Sequence, residues 1–405
     1  MTSLSSVPET GSESRPPPAD DQFIVTPDAA IDPVVSVVVP TMNEEAGITE
    51  CMEWIRRGAE SAEIPTEIIV SDSSTDRTPE LAREAGARVV APDGTGYGYA
   101  YQYAFDYVRG DYIVVGDADT TYDFSQFPRL LRELIDTDAD IVLGSRFEGE
   151  IKPGAMPALH RYVGNPLLTR FLNTFYDTGV TDAHSGFRVI RRDALETLDL
   201  ETTGMEFASE MIMAAGERDL DIREVPITYH QRTGDATLDS FRDGWRHLKF
   251  MLENAPGYVF SVPGAMLVFA GMVTMALSVQ QAPLLGVFFG RHTAIVGSLM
   301  TVMGYQAMSL AVFSTLAADA IRLPSDPITR WVVESIHFEH GAIAGVGMVG
   351  LGSATMAFYG AQWARTAGTI TPSITTTMYS FTVIVMGLQT VFYAFFISVL
   401  RDSRM

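Results

Sequence analysis

The chain has 405 residues, a formal net charge of −22 and a single cysteine. That length allows one ordinary domain plus further material, and the acidity excludes nucleic acid as a partner, because phosphate backbones need a basic footprint. Cys51 alone excludes an intrachain disulfide, a cysteine-based zinc site and a redox pair.

Among the 28 basic residues only Lys152 and Lys249 are lysine. Like charge at this density repels itself unless salt screens it, which predicts a salt-rich cytoplasm of the haloarchaeal kind; an acidic protein from a GC-rich mesophile shares the composition. Residues 1–32 read as a tail. Within it, 1–22 carry Ser, Pro, Glu and Asp with no apolar stretch like that of a signal peptide, which predicts disorder and a first domain that stays in the cytoplasm.

From Val34 strands and helices alternate. Val34–Val39 is a β-branched run suited to a strand buried on both faces. A helix is predicted over Glu45–Ser61, a strand over Glu67–Val70, a helix over Thr78–Ala85 and a strand over Arg88–Val90. Gly98–Val108 reads as helix, Asp111–Val115 as a central strand, Phe127–Asp136 as helix and Ile141–Gly144 as strand. Such alternation predicts an α/β domain, 33–237, with a mainly parallel sheet and a ligand at the carboxyl ends of its strands.

Two amphipathic segments follow. Met156, Leu159, Val163, Leu167 and Phe171 share helical spacing near Arg161 and Arg170. Leu238, Phe241, Trp245, Leu248 and Leu252 do the same beside Arg242, Arg246 and Lys249. Basic, aromatic-bearing amphipathic helices suit the lipid headgroup layer, and ordinary packing against the sheet is the competing reading. The second segment, 238–256, is expected to lie in the interface. From 257 to 405 four stretches are long and uncharged enough to span a bilayer: Tyr258–Val279, Thr293–Ala318, Gly341–Ala364 and Thr375–Leu400. With the N-terminus inside, Arg242, Arg246, Lys249, Arg322, Arg330, Arg401 and Arg404 are cytoplasmic and only Arg291 and Arg365 lie outside, as the positive-inside rule requires.

Chemistry concentrates at three strand ends. Asp111-Tyr-Ile-Val-Val-Gly-Asp117-Ala-Asp119 delivers two carboxylates from an apolar strand. Carboxylates at i and i+2 can approach one cation where the strand breaks into a turn, and hard oxygen ligands suit Mg²⁺ or Mn²⁺. Val37-Val-Val-Pro40-Thr-Met-Asn43-Glu44-Glu45 and Ile68-Ile-Val70-Ser-Asp72-Ser-Ser-Thr-Asp76 end the first two strands. Helix capping accounts for some of these polar residues, yet their gathering on one edge predicts a nucleotide laid across it.

In this order the motifs resemble family 2 glycosyltransferases of the Rossmann-like GT-A fold. Among these they are similar to dolichol-phosphate mannose or glucose synthases and polyprenyl-phosphate glycosyltransferases. Gly144-Ser-Arg146, Asp182-Ala-His-Ser-Gly-Phe-Arg188 and Arg232-Thr-Gly234 complete the likeness, which covers about 34–256. The resemblance implies that Pro40, Glu44, Val70 and Asp72 hold base and ribose. It implies that Asp117, Ala118, Asp119 and Arg232 meet the rest of the nucleotide sugar, with Asp117 and Asp119 on the metal. Asp119, Arg146 and Arg161 form the implied catalytic set, the two arginines facing the acceptor phosphate. Two departures stand out. Thr121 replaces a Gln that often follows the Asp-x-Asp, and Gly234-Asp-Ala-Thr237 lacks the family's Lys.

Guanidinium forks bind phosphate bidentately whatever the family, although a structural salt bridge would also explain Arg146. Glu206 and Glu210 share a helical face and either could be a general base, with a structural role favoured for both. His184 reads as a turn residue. Gly94, Gly96 and Gly98 invite a dinucleotide motif, but Tyr99 breaks it. The expected function is inverting, metal-dependent transfer of a hexose from a nucleotide sugar to dolichyl or polyprenyl phosphate at the cytoplasmic face of the bilayer. A processive polysaccharide synthase would carry Gln-x-x-Arg-Trp, absent here, and a catalytically dead scaffold or flippase partner would not need Asp117, Asp119 and Arg146 intact.

Overall fold

The structure, a computed structural model, describes residues 23–234, 245–246, 248–250, 252, 256–280, 283–284, 287–317, 329–332 and 338–402. The expected disorder of 1–22 and most of the expected interfacial helix 238–256 lie outside these residues. The chain forms two compact units, Met1–Met251 and Leu252–Met405.

In the first unit β1 (Val35–Thr41), β2 (Thr66–Asp72), β3 (Arg88–Val90) and β4 (Tyr112–Val115) run parallel. They are joined by α1 (Ile48–Ala62), α2 (Thr78–Glu84) and α3 (Tyr97–Phe105). Then come α4 (Phe127–Thr137), β5 (Ile141–Ile151), α5 (Asn165–Tyr176), β6 (Arg188–Arg191), α6 (Arg192–Thr197), α7 (Phe207–Glu217) and β7 (Ile222–Tyr229). The seven strands lie in the order β3-β2-β1-β4-β6-β5-β7. Only β6 is antiparallel to its neighbours, wedged between β4 and β5.

Alternation along β1 explains the two cores. Val35, Val37 and Val39 face α1 and α4, meeting Ile55, Phe124, Phe127 and Leu131. Val38 faces the other way, with Ile69, Tyr101, Leu172 and Met211 under α3, α5 and α7. Both faces are covered, so the strands are continuous apolar runs. In α1 the buried Ile48, Cys51, Met52, Ile55 and Ala59 follow the helical repeat, and the helix stops at Glu63 in the left-handed region with φ 56°. The ordered body begins before residue 33, contrary to the assignment of 1–32 to a tail. Val25 N donates to Thr66 O and Thr66 N to Phe23 O, each at 2.8 Å, while Val25 is buried.

The second unit holds α8 (Pro256–Gln280), α9 (Arg291–Ala317), α10 (Phe338–Arg365) and α11 (Ile374–Asp402). Within them Gly257–Val279, Arg291–Leu316, Phe338–Arg365 and Ile374–Leu400 are long and apolar enough to cross a membrane, matching the four expected spans. Glycines set the close approaches. A Cβ on Gly264 would come within 2.8 Å of Gly304 O, and one on Gly345 within 2.6 Å of Gly387 O, so α8 lies tightly on α9 and α10 on α11. Hydroxyls join α9 to α11, Ser298 to Thr382 at 2.6 Å and Tyr305 to Thr390 at 2.7 Å.

Candidate active site at the carboxyl edge of the sheet

The loops after β1 and β2 are stitched together. Thr41 and Ser74 donate their hydroxyls to Asp72 Oδ1 at 2.7 and 2.6 Å. Asn43, at φ 61°, donates its N–H to Ser74 Oγ at 2.8 Å and accepts from Thr75 N at 2.9 Å. Pro40 is half-buried in this edge. Val70 and Ala118, at 0% and 2% exposure, lie beneath it and shape its floor.

The two aspartates after β4 differ in their partners. Asp117 Oδ1 accepts from the Tyr97 hydroxyl at 2.7 Å. Asp119 Oδ1 accepts from Thr121 N at 3.1 Å and Thr121 Oγ1 at 2.5 Å, so the Thr in place of Gln fixes the carboxylate. The other oxygen of Asp119 lies 3.5 Å from Arg232 Nη1, and Arg232 Nη2 donates to Glu44 Oε1 at 2.7 Å. A short strap after β7 supplies that arginine. Its Thr233 N donates to Asp119 O at 3.0 Å, and Thr120 Oγ1 meets Thr233 Oγ1 at 2.7 Å. Thr120 sits at φ 61°, a strained setting for a β-branched residue that the strap holds in place.

Removal from water pushes the Asp117 carboxyl up to about 7, with the charge of Asp119 adding to the effect. Glu44 is raised by burial, against the pull of Arg232. Crowded carboxylates of this kind favour a cation. Among the described residues no group of three or more His, Cys, Asp or Glu could hold a metal alone. Two carboxylates suit a hard divalent ion that takes its remaining ligands from substrate phosphate and water.

Arg146 departs from expectation. It is 6% exposed, and its Nε and Nη2 donate to Asp182 Oδ2 and Oδ1, both at 2.7 Å. Burial works against its charge, and Asp182 with Tyr122 and Tyr229 more than offsets that. The fork expected at the acceptor phosphate is spent on a buried ion pair. Arg161 is different: half-buried on the π-helical turn His160–Gly164, it stacks over Tyr162 at 5.5 Å and makes no ion pair among the described residues. No described contact joins it to Asp117 or Asp119.

Glu210 accepts from Glu201 N at 3.0 Å and Thr202 N at 2.8 Å, which is scaffolding. Glu206 lies 3.4 Å from Arg246. His184 is a turn residue, as expected, with Nε2 3.2 Å from Ser209 Oγ. Sequence reasoning missed Tyr97 and quoted Arg188 in a motif without giving it a role. The latter is 1% exposed and donates to the carbonyls of Ala183, Ser185 and Ala208, tying the turn after Asp182 to α7.

A Rossmann-like sheet carrying paired aspartates where β4 meets its turn, followed by long apolar helices, is the architecture of membrane-associated glycosyltransferases. The chain belongs to glycosyltransferase family 2. Residues 36–199 match glycosyl transferase family 2, and residues 312–401 match the glycosyltransferase family 2 C-terminal transmembrane region. It is similar to the low-salt glycan biosynthesis hexosyltransferase Agl6 of Haloferax volcanii, 51% identical over 94% of this chain and 92% of the relative. A dolichyl-phosphate hexose transferase of the same organism is 35% identical over 52% of this chain and 89% of its own. Among solved structures, glucosyl-3-phosphoglycerate synthase from Mycobacterium tuberculosis is 24% identical, covering 54% of this chain and 79% of that one, at a TM-score of 0.43. The protein is thus a glycosyltransferase and a multi-pass membrane protein.

Proposed function

We propose that the enzyme transfers a hexose from a nucleotide sugar of the UDP-glucose or GDP-mannose type to dolichyl or polyprenyl phosphate, with inversion, on the cytoplasmic face of the membrane. The observation that carries this reading is the cluster of Asp117, Asp119, Glu44 and Arg232 where β1, β4 and β7 end. In it Asp117 and Asp119 would hold Mg²⁺ or Mn²⁺, and a bound cation would neutralise the leaving nucleoside diphosphate. Arg232 stands ready to share that anionic charge. The stitched loops after β1 and β2, with Pro40, Glu44 and Asp72, take the nucleoside.

The acceptor follows from the bases. Glu210 is committed to backbone N–H groups and Glu206 pairs with Arg246 at 3.4 Å, whereas an acceptor hydroxyl would need a base placed for it. A lipid phosphate needs none, since its second pKa is about 6 by analogy with phosphate monoesters. The name of the dolichyl-phosphate relative agrees with that choice. Arg161 meets the acceptor phosphate, while Arg146 braces the wall through Asp182. Leu159, Tyr162, Val163 and Leu167 are all exposed around Arg161, an apolar edge that suits a bilayer surface.

The test is to incubate membranes holding the protein with labelled UDP-glucose or GDP-mannose and dolichyl phosphate, then extract lipid. Label should enter the organic phase, disappear with EDTA and be absent for Asp119→Asn. Label confined to water-soluble product would discard the lipid acceptor, and EDTA-resistant transfer would discard the metal.

A further inference from the structure

Tyr97 lies between two glycines that the rejected dinucleotide motif left without a role. Gly96 has φ +127°, and a Cβ there would overlap the Thr203 carbonyl; a Cβ on Gly98 would overlap that of Thr202. Backbone therefore meets backbone directly, Gly98 N donating to Gly204 O and Tyr99 N to Thr203 O, each at 3.2 Å. Gln102 Nε2 adds bonds to the carbonyls of Leu200 at 3.0 Å and Thr202 at 3.2 Å. Glu210 fixes the same loop from the other side through Glu201 N and Thr202 N. The start of α3 is thus clamped against the loop before α7.

The clamp delivers one side chain to the paired aspartates. The Tyr97 ring meets Tyr101 edge-on at 5.1 Å, and Tyr101 stacks on Phe207 at 5.1 Å. From that seat the Tyr97 hydroxyl reaches Asp117 Oδ1 at 2.7 Å. Asp117 Oδ2 lies close to Gly186, where a Cβ would come within 3.2 Å of it, and among the described residues no hydrogen bond reaches that oxygen. We propose that Tyr97 is a positioning residue for the donor site: by occupying Oδ1 it orients the Asp117 carboxylate and reserves Oδ2 for the divalent cation. This rests on the reading of Asp117 and Asp119 as the metal-holding pair. The glycines, Gln102 and Glu210 then have one shared purpose, which is to place that hydroxyl.

The test uses the full chain in detergent and follows Mn²⁺ binding by electron paramagnetic resonance, in the presence of UDP and, separately, of GDP. Tyr97→Phe keeps the ring and removes only the donor. A hydrogen bond to a charged group is strong enough that its Mn²⁺ Kd should rise about tenfold or more. Tyr103→Phe, which removes a hydroxyl of the same helix that meets the Tyr107 hydroxyl at 3.3 Å, should keep the parent Kd. An unchanged Kd for Tyr97→Phe overturns the proposal, and so does equal weakening in both variants. If the parent binds no Mn²⁺ with either nucleotide, the metal reading itself falls and takes this assignment with it.

Discussion

Asp117 is kept where ionisation is costly. Its proton affinity in the fold is raised, first by removal from water and then by Asp119, so the folded chain holds a proton that the unfolded chain has released. Between about pH 4 and pH 7 the folded state binds more protons, and the stability this group contributes is lost as pH rises through that window. Asp117→Asn cannot ionise, and its amide oxygen can still accept from Tyr97. In EDTA it should melt above the parent at pH 8, with the gap narrowing toward pH 5, while transfer is lost. A lower melting point at pH 8 would mean that Tyr97 and Arg232 over-compensate the burial. A residue that costs stability and is retained is what a binding site for a cation requires.

At the scale of elements, the two arginines expected at the acceptor should separate. Arg146 joins β5 to the turn before β6. Arg146→Ala leaves the Asp182 carboxylate buried without its ion pair, which should cost about 3–5 kcal/mol and show in denaturant unfolding. Arg146→Lys should recover little, because it lacks the fork. Arg161→Ala should unfold like the parent and lose initial rate at saturating donor. If Arg146→Ala were fully stable and Arg161→Ala fully active, both assignments would fail. The sequence shows why only part of this was legible. The runs Val35–Val39 and Tyr112–Val115, the Asp117–Asp119 pair and the four apolar stretches carry their meaning locally. The strand β6 does not, since Arg188 and Arg191 bracket only Val189 and Ile190. The fate of Arg146 depends on Asp182, distant in sequence, and the use of Tyr97 depends on a loop past Thr202. Spacing along the chain shows neither.

For the whole molecule, the proposed topology has four spans with both termini on the cytoplasmic side, the side that the positive-inside rule favours for this arginine distribution. Tags at both termini should be reached only from the cytoplasm, and a tag between Gln281 and Arg291 only from outside. An external C-terminus would mean an odd number of crossings.

The place of β6 also sets a schedule. Lying between β4 and β5, it keeps the middle of the sheet open until residues 188–191 have been made, and β7 closes the edge only at Tyr229. At typical elongation rates the stretch from Tyr229 to Pro256 takes roughly one to five seconds to synthesise. Non-local sheets of this kind fold in milliseconds to seconds. The catalytic half therefore has roughly that interval in which to close its sheet before the first apolar helix begins, and a variant that folds more slowly than this would meet the membrane with its sheet still open.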